Sequence, residues 1–161
     1  MQSINLKTYG KKRSLRLKDF DYSQPFAYFV TICTYRKSSY FKEKEVASSV
    51  LNTIKELKSM LGYRIYCYCI MPDHLHLILN PAESNIALPK FIRMVKSKTA
   101  VQLLKESGIS RLWQRSYYEH VLRKNENLTE TVNYVLLNPL RKGLVTDYRE
   151  YQFCGIMDDI E

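Results

Sequence analysis

Two histidines separated by a single leucine, His74, Leu75 and His76, lie in the run HLHLILN. On a strand, residues two apart project to the same side. His74, His76 and Ile78 then share one face, and Leu75, Leu77 and Leu79 share the other. Two parallel imidazoles on a rigid element supply two donors to a divalent metal, while the leucines hold that element against a core. The same spacing also suits two ordinary surface histidines on a half-exposed strand. Cys67 and Cys69 offer a rival metal set with His74 and His76, since these ligand types suit zinc. Free cysteine is among the most buried residue types, so core packing accounts for that pair equally well. Farther along, Tyr134 and Asn138 stand one helical turn apart, off the apolar stripe of Leu128, Val132, Val135 and Leu136, and away from the core. A phenol and a carboxamide are thus offered together, and with 13 tyrosines in the chain periodicity alone does not single out Tyr134. His120, the third histidine, reads as packed or hydrogen-bonded.

The elements that must position these residues follow from periodicity. Phe26 to Tyr35 is rich in β-branched and aromatic residues and reads as a strand. Lys44 to Met60 carries Val46, Val50, Ile54 and Leu57 at helical spacing and stops at Gly62. Tyr63 to Ile70 is apolar on both faces, as a central strand would be. A turn through Met71, Pro72 and Asp73 leads into the His74 to Asn80 strand, so the two form a hairpin. Leu88 to Lys105 reads as a second helix ended by Gly108, and Ser116 to Arg123 as a fourth strand. Glu126 to Asn138 reads as a last helix, with Asn127 and Glu130 spaced as a capping box. The order β-α-β-β-α-β plus one helix predicts an α+β, ferredoxin-like split βαβ antiparallel sheet. Two helices would cover one face, an additional C-terminal helix would carry the tyrosine, and the other face would stay available. Residues 1–24 read as a basic N-terminal arm, 25–145 as a single domain, and 146–161 as a tail.

Of the 161 residues, 25 are Lys or Arg and 16 are Asp or Glu, a net charge of +9. That surplus favours an anionic partner, nucleic acid first and an acidic membrane surface second. An apolar share of 45% argues against wholesale disorder. No run approaches the ~20 apolar residues a membrane span needs, and the basic start lacks the apolar core of a signal peptide. A cytoplasmic location with no membrane partner and four reduced cysteines is the expectation. The cationic residues that could contact DNA phosphates include Arg13 in the arm, Arg93, Lys96 and Lys98 on the second helix, and Arg115, Arg123 and Lys142 flanking the presumed site. Trp113, Tyr117 and Tyr118 could stack unpaired bases, though core packing suits them too.

Five stretches in order carry a resemblance: Arg13 to Thr34 (RSLRLKDFDYSQPFAYFVTICT), Met71 to Leu79 (MPDHLHLIL), Lys90 to Thr99 (KFIRMVKSKT), Leu112 to Arg123 (LWQRSYYEHVLR) and Asn133 to Gly143 (NYVLLNPLRKG). Together they resemble the IS200-like, single-tyrosine (HUH) transposases, and within them the REP-associated tyrosine transposases. The resemblance implies that His74 and His76 are metal ligands, that Asn138 is a third, and that Tyr134 is the nucleophile; His120 stands in reserve as a ligand should Asn138 not reach, because a residue before proline (here Pro139) is pushed away from helical geometry. It implies magnesium or manganese as the metal, manganese being the easier chemical fit to imidazole. It further implies a metal-dependent cleavage and rejoining of single-stranded or hairpin DNA through a 5′-phosphotyrosine. Insertion-sequence members form dimers with exchanged tyrosine helices, whereas REP-associated members resemble monomers, so both a monomer and a homodimer are open. Two other functions fit the same residues: a non-catalytic nucleic-acid-binding module on the sheet, and a metal-dependent nuclease that uses water.

Overall fold

Aromatic and β-branched residues build the first strand, β1 (Tyr28–Cys33), in a computed structural model that describes residues 17–160. Arg13 and most of the basic arm lie outside the described residues. Helix α1 (Lys44–Leu61) follows, then β2 (Arg64–Met71) and β3 (His74–Asn80), helix α2 (Leu88–Ser107), and β4 (Tyr118–Val121). Both long helices stop where expected. Gly62 and Gly108 take left-handed φ values of 69° and 67° and turn their amides back onto the last helical carbonyls, a conformation that costs glycine little. Helix α3 (Leu128–Leu136) opens with the Asn127 side chain accepting from the Glu130 amide, the predicted cap. It ends two residues short of the expectation. Leu137 leaves helical geometry (ψ 0°), and Asn138 begins a separate short helix, α4 (Asn138–Arg141), with Pro139 in its first turn. Proline is at home there because its missing N–H would have no partner.

The sheet order is β4-β1-β3-β2-β5, with every neighbouring pair antiparallel. The first four strands are the split βαβ arrangement predicted. The fifth, β5 (Cys154–Ile156), comes from the segment read as a tail and pairs with the outer edge of β2. Three residues are too few to leave a periodic signal, and only their pairing makes them a strand. Among the described residues no helix is long and apolar enough to cross a membrane.

Alternation in β1 and β3 divides the interior in two. Val30, Ile32, Leu75, Leu77 and Leu79 face α1 and α2, where they meet Val46, Val50, Ile54, Leu57, Phe91, Ile92 and Val95. Phe29, Ile78, Cys67, Cys69 and Met71 line the opposite face and are covered by Val132, Val135 and Leu136 of α3. The histidine face is therefore half roofed rather than open. Fully burying an aliphatic side chain stabilises by about 1.5–3 kcal/mol, and Val132 and Val135 are the most deeply buried anchors of this nine-residue helix. Strand β2 serves both cores by the same alternation, and a bulge between Ile65 and Cys67 shifts its pairing from Leu79 to Ile78. The extra residue, Tyr66, lets Ile65 face the long helices and Cys67 face α3.

Candidate active site

The antiparallel register builds a row across the histidine face: Tyr118, Thr31, His76, Cys69 and Cys154, each opposite the next. His74 lies in the neighbouring row, between Cys33 and Met71. Both histidines thus come from one strand and project together, as the H-x-H spacing predicts. Their Nε2 atoms approach to 3.1 Å, with the rings nearly perpendicular. The other nitrogen of each ring is engaged. His74 Nδ1 lies 2.6 Å from Asp73 Oδ1, and His76 Nδ1 lies 2.8 Å from Thr31 Oγ1. A carboxylate and a hydroxyl on the outer nitrogens are the partners that orient metal-binding imidazoles and fix their tautomers.

The pair fits a divalent cation on its own geometry. With two lone pairs facing each other, one Nε2 must carry a proton unless a cation stands between them. Two nitrogen donors on bonds of about 2.0–2.1 Å stand ~3 Å apart when the bonds are at right angles, and the observed spacing matches. Among the described residues no group of three or more His, Cys, Asp or Glu gathers here, so a cation bound by the pair would take its other donors from amide, phenol, water or phosphate oxygen. The zinc arrangement gains no support. Cys67 sits opposite Ile78, and Cys69 hydrogen-bonds Cys154. That bond first, and then burial, pushes the Cys69 thiol up; burial does the same to Cys67. Zinc needs the thiolate.

Electrostatics keep both imidazoles neutral. His76 is buried, and desolvation, then the neighbouring His74 and Arg141, hold it well below the ordinary 6.5. Burial also lowers His74; its bond to Asp73 opposes this, while Lys37 and Lys142 add to it. A neutral imidazole is the form that binds a metal. The sign of the linkage is fixed: the unfolded chain takes up protons near 6.5 and the folded chain does not. The contribution to stability is complete above that value and is lost as pH falls below it. With metal chelated, the melting temperature is expected to drop between pH 7.5 and 5.5. A His76→Gln variant should show a smaller drop; an equal drop would remove His76 from the account.

Tyr134 packs on Phe29, which in turn faces His76. The Phe29 ring lies 5.4 Å from the His76 ring, and the Tyr134 ring meets Phe29 edge-on at 6.3 Å. Arg141 Cζ stands 4.0 Å above the Tyr134 ring, and its Nη2 donates to the Tyr134 carbonyl at 2.8 Å. The expectation that Tyr134 and Asn138 point away from the core is corrected. Tyr134 is half-buried against the second core, and Asn138 is buried, 4% exposed. The reason is that α3 lies on the sheet rather than beside it. The end of β1 also carries an unusual turn: Arg36 and Lys37 are both left-handed, with φ of 53° and 52°, and Lys37 is one of the cations acting on His74.

The remaining candidates separate. Arg93, Lys96 and Arg115 line one cavity with Trp113 and Tyr117, between α2 and residues 110–117. Lys96 Nζ donates to the carbonyls of Gln114 and Arg115. Lys98 turns to α1 and pairs with Glu56 at 2.7 Å. Arg123 is exposed just past β4, in a cleft with Tyr118 and His120. Lys142 is exposed and close enough to act on His74. His120 bonds Glu126 at 2.7 Å, in the row of Phe29 rather than that of His76. Thr31, Phe29, Asp73 and Lys37 escaped the sequence reading. Asp73 alone had a signal, its place directly before His74; the others depend on register and turn geometry.

The family model described as "Transposase IS200 like" matches residues 23–137. A Haemophilus influenzae protein named for the REP-associated tyrosine transposases is 25% identical over 155 residues, covering 88% of this chain and 85% of its own. The REP-associated tyrosine transposase of Escherichia coli K12 is 23% identical over 109 residues, with 68% and 64% covered. A solved REP-associated tyrosine transposase bound to a REP hairpin superposes with a TM-score of 0.70 at 19% identity, over 89% of this chain and 82% of that one; at that identity the likeness speaks to the fold.

Proposed function

The chain belongs to the IS200-like transposase family, and we propose that it cleaves and rejoins single-stranded, hairpin-bearing DNA with Tyr134 as nucleophile and a divalent metal held by His74 and His76. The observation that carries this reading is the convergence of the two Nε2 atoms at 3.1 Å, each ring braced from behind, beneath the helix that bears Tyr134. Asn138, buried at the start of α4, supplies an amide oxygen as a third donor. Magnesium or manganese would stabilise charge on the phosphate as phosphorus becomes five-coordinate.

The chain's own residues do the rest. The phenol of Tyr134 loses its proton and its oxygen bonds to phosphorus; the bond from phosphorus to the 3′ oxygen breaks, and that oxygen takes up a proton. The product is a 5′-phosphotyrosine and a free 3′-hydroxyl, and reversal onto another 3′ end joins strands without an external energy source. Arg141, stacked over the Tyr134 ring and bonded to its carbonyl, holds the phenol in place. Lys37 and Lys142 keep the site positive for a phosphate. REP-type hairpins, the DNA held by the solved relative, are the first substrates to offer.

The test is covalent capture: the protein is incubated with labelled hairpin oligonucleotides, with manganese or with chelator, and run on a denaturing gel. A manganese-dependent adduct whose tryptic peptide carries Tyr134 supports the reading. Cleavage without an adduct transfers it to a nuclease that uses water, and binding without cleavage to a binding module.

Thr31 acts as a positioning residue in this scheme. Thr31→Val removes the hydroxyl that orients His76 while keeping the shape. Loss of such an outer partner weakens metal affinity by about 10–100-fold, so the manganese Kd should rise by that factor, with cleavage recovering at high manganese and Thr31→Ser restoring the original Kd. An unchanged Kd in Thr31→Val would remove Thr31 from the site.

A further inference from the structure

All four cysteines are free thiols, and no step of the reaction above uses one. Two of the four meet. Strand β5 places Cys154 directly opposite Cys69 of β2, and the two thiols are hydrogen-bonded to each other. Cys67 stands opposite Ile156 on the same two strands, and Cys33 stands opposite His74, across the sheet on β1. Of the four, Cys69 and Cys154 alone are paired in register.

Backbone pairing sets their separation. The Ile70 amide donates to the Phe153 carbonyl at 2.8 Å, and the Met157 amide to the Tyr66 carbonyl at 3.0 Å. Hydrogen-bonded pairs recur at every second residue of an antiparallel ladder, so Cys69 and Cys154 fall between two of them. That is where opposed Cα atoms come closest, ~4.5 Å apart, inside the ~4.4–6.8 Å span that a disulfide bridges. Directly opposed side chains also share one face. Tethers on both sides keep β5 in this register. The Tyr151 hydroxyl donates to the Ile70 carbonyl at 2.9 Å, and the Asp158 carboxylate accepts from the Ile65 amide at 2.7 Å and pairs with Lys58 at 2.8 Å.

The Cys154 sulfur also touches the helix that bears Tyr134. Its Sγ donates to the carbonyl of Leu136 at 3.7 Å. Leu136 is the last residue of α3, directly before the break at Leu137 that leads to Asn138. A disulfide has no S–H. Closing one here takes that donor from the end of α3 and draws the sulfur toward β2.

We propose that Cys69 and Cys154 are an oxidation site: a hydroperoxide converts the thiol pair to a disulfide, which releases the C-terminal end of α3 and slows the reaction at Tyr134. Cys154 is half-buried and Cys69 fully buried, so Cys154 reacts first and the oxidant must be small. The Cys154 sulfur gives up its proton and bonds to a peroxide oxygen. The O–O bond breaks, the departing oxygen takes that proton and leaves as alcohol or water, and a sulfenic acid remains. The Cys69 sulfur then bonds to the Cys154 sulfur, the S–O bond breaks, and the hydroxyl leaves as water with the Cys69 proton. Two thiols lose two electrons and the peroxide gains them. The effect on Tyr134 rests on the strand-transfer reading; the disulfide and the release of α3 do not.

The experiment treats the full chain with hydrogen peroxide in the presence of chelator, removes both, and compares the product with the same protein reduced by dithiothreitol. A non-reducing peptide map should show one link, Cys69 to Cys154, that dithiothreitol reverses. Hydrogen exchange should quicken at the Leu137 and Arg141 amides, which bond back to Asn133 and Leu137. Formation of the manganese-dependent Tyr134 adduct should slow by about two- to ten-fold, the effect of one lost hydrogen bond. Cys154→Ser, treated alike, should form no link and show no difference between its treated and reduced forms in exchange or adduct rate. A link through Cys33 or Cys67, or oxygen added to Cys154 without a link, overturns the proposal. So does the expected link with exchange and adduct rate both unchanged. If the reduced protein forms no adduct with any hairpin, the strand-transfer reading fails, and the link and the exchange still decide the thiol pair.

Discussion

Replacing Tyr134 with phenylalanine is expected to abolish the protein–DNA adduct and to cut strand cleavage by three orders of magnitude or more, the scale seen when a nucleophile is removed. The substitution takes away one oxygen. The edge contact with Phe29 and the guanidinium over the ring both survive, so α3 should stay seated and stability should shift by no more than about 1.5 kcal/mol, one hydrogen bond's worth. Hairpin affinity and manganese affinity should each stay within two-fold of wild type. That combination separates loss of chemistry from loss of fold. Residual cleavage above one per cent of wild type, with no adduct, would mean that water rather than the phenol attacks.

His76→Ala is the second large effect. The imidazole is 8% exposed, faces Phe29, and shares its Nδ1 bond with Thr31. Removing it takes away one of two ring donors, so manganese affinity should fall by at least 100-fold in a calorimetric titration, and cleavage at a fixed, subsaturating manganese should fall at least as far. Stability falls as well, because the Thr31 hydroxyl loses its partner in a half-buried place, a cost of about 1–3 kcal/mol. His74→Ala should cost less stability, since that ring is less buried and its brace, Asp73, can turn to water. If manganese affinity were unchanged in His76→Ala, the metal would be held elsewhere.

How much of this was legible in the chain depends on whether a property is local. The shared face of His74 and His76 follows from strand parity, and parity needs no partner strand. The stripes of α1 and α2, their glycine stops, and the Asn127 cap are local too. Thr31 is different: nothing within FVTICT marks it until the register sets it opposite His76. The second core was hidden for the same reason. Cys67 and Cys69 look like candidate ligands in a list of residues and like packing once α3 lies over them. Lys96 and Lys98 stand two apart on one helix, yet one clamps a loop and the other pairs with Glu56. Spacing could name them as cations but not their neighbours. The break at Leu137 was half legible, because Pro139 announces an end to the helix without saying that another turn resumes.

The two left-handed residues at the end of β1 carry a consequence for how this molecule can change. Arg36 and Lys37 each hold a backbone shape that costs an L-residue roughly 1–2 kcal/mol and costs glycine little. Lys37→Gly should therefore raise the melting temperature while taking a cation from beside His74, and DNA cleavage should weaken. Screening variants for heat resistance alone would accept that exchange, and screening for transposition would reject it. At this turn the expected gain in durability and the expected loss of activity pull in opposite directions.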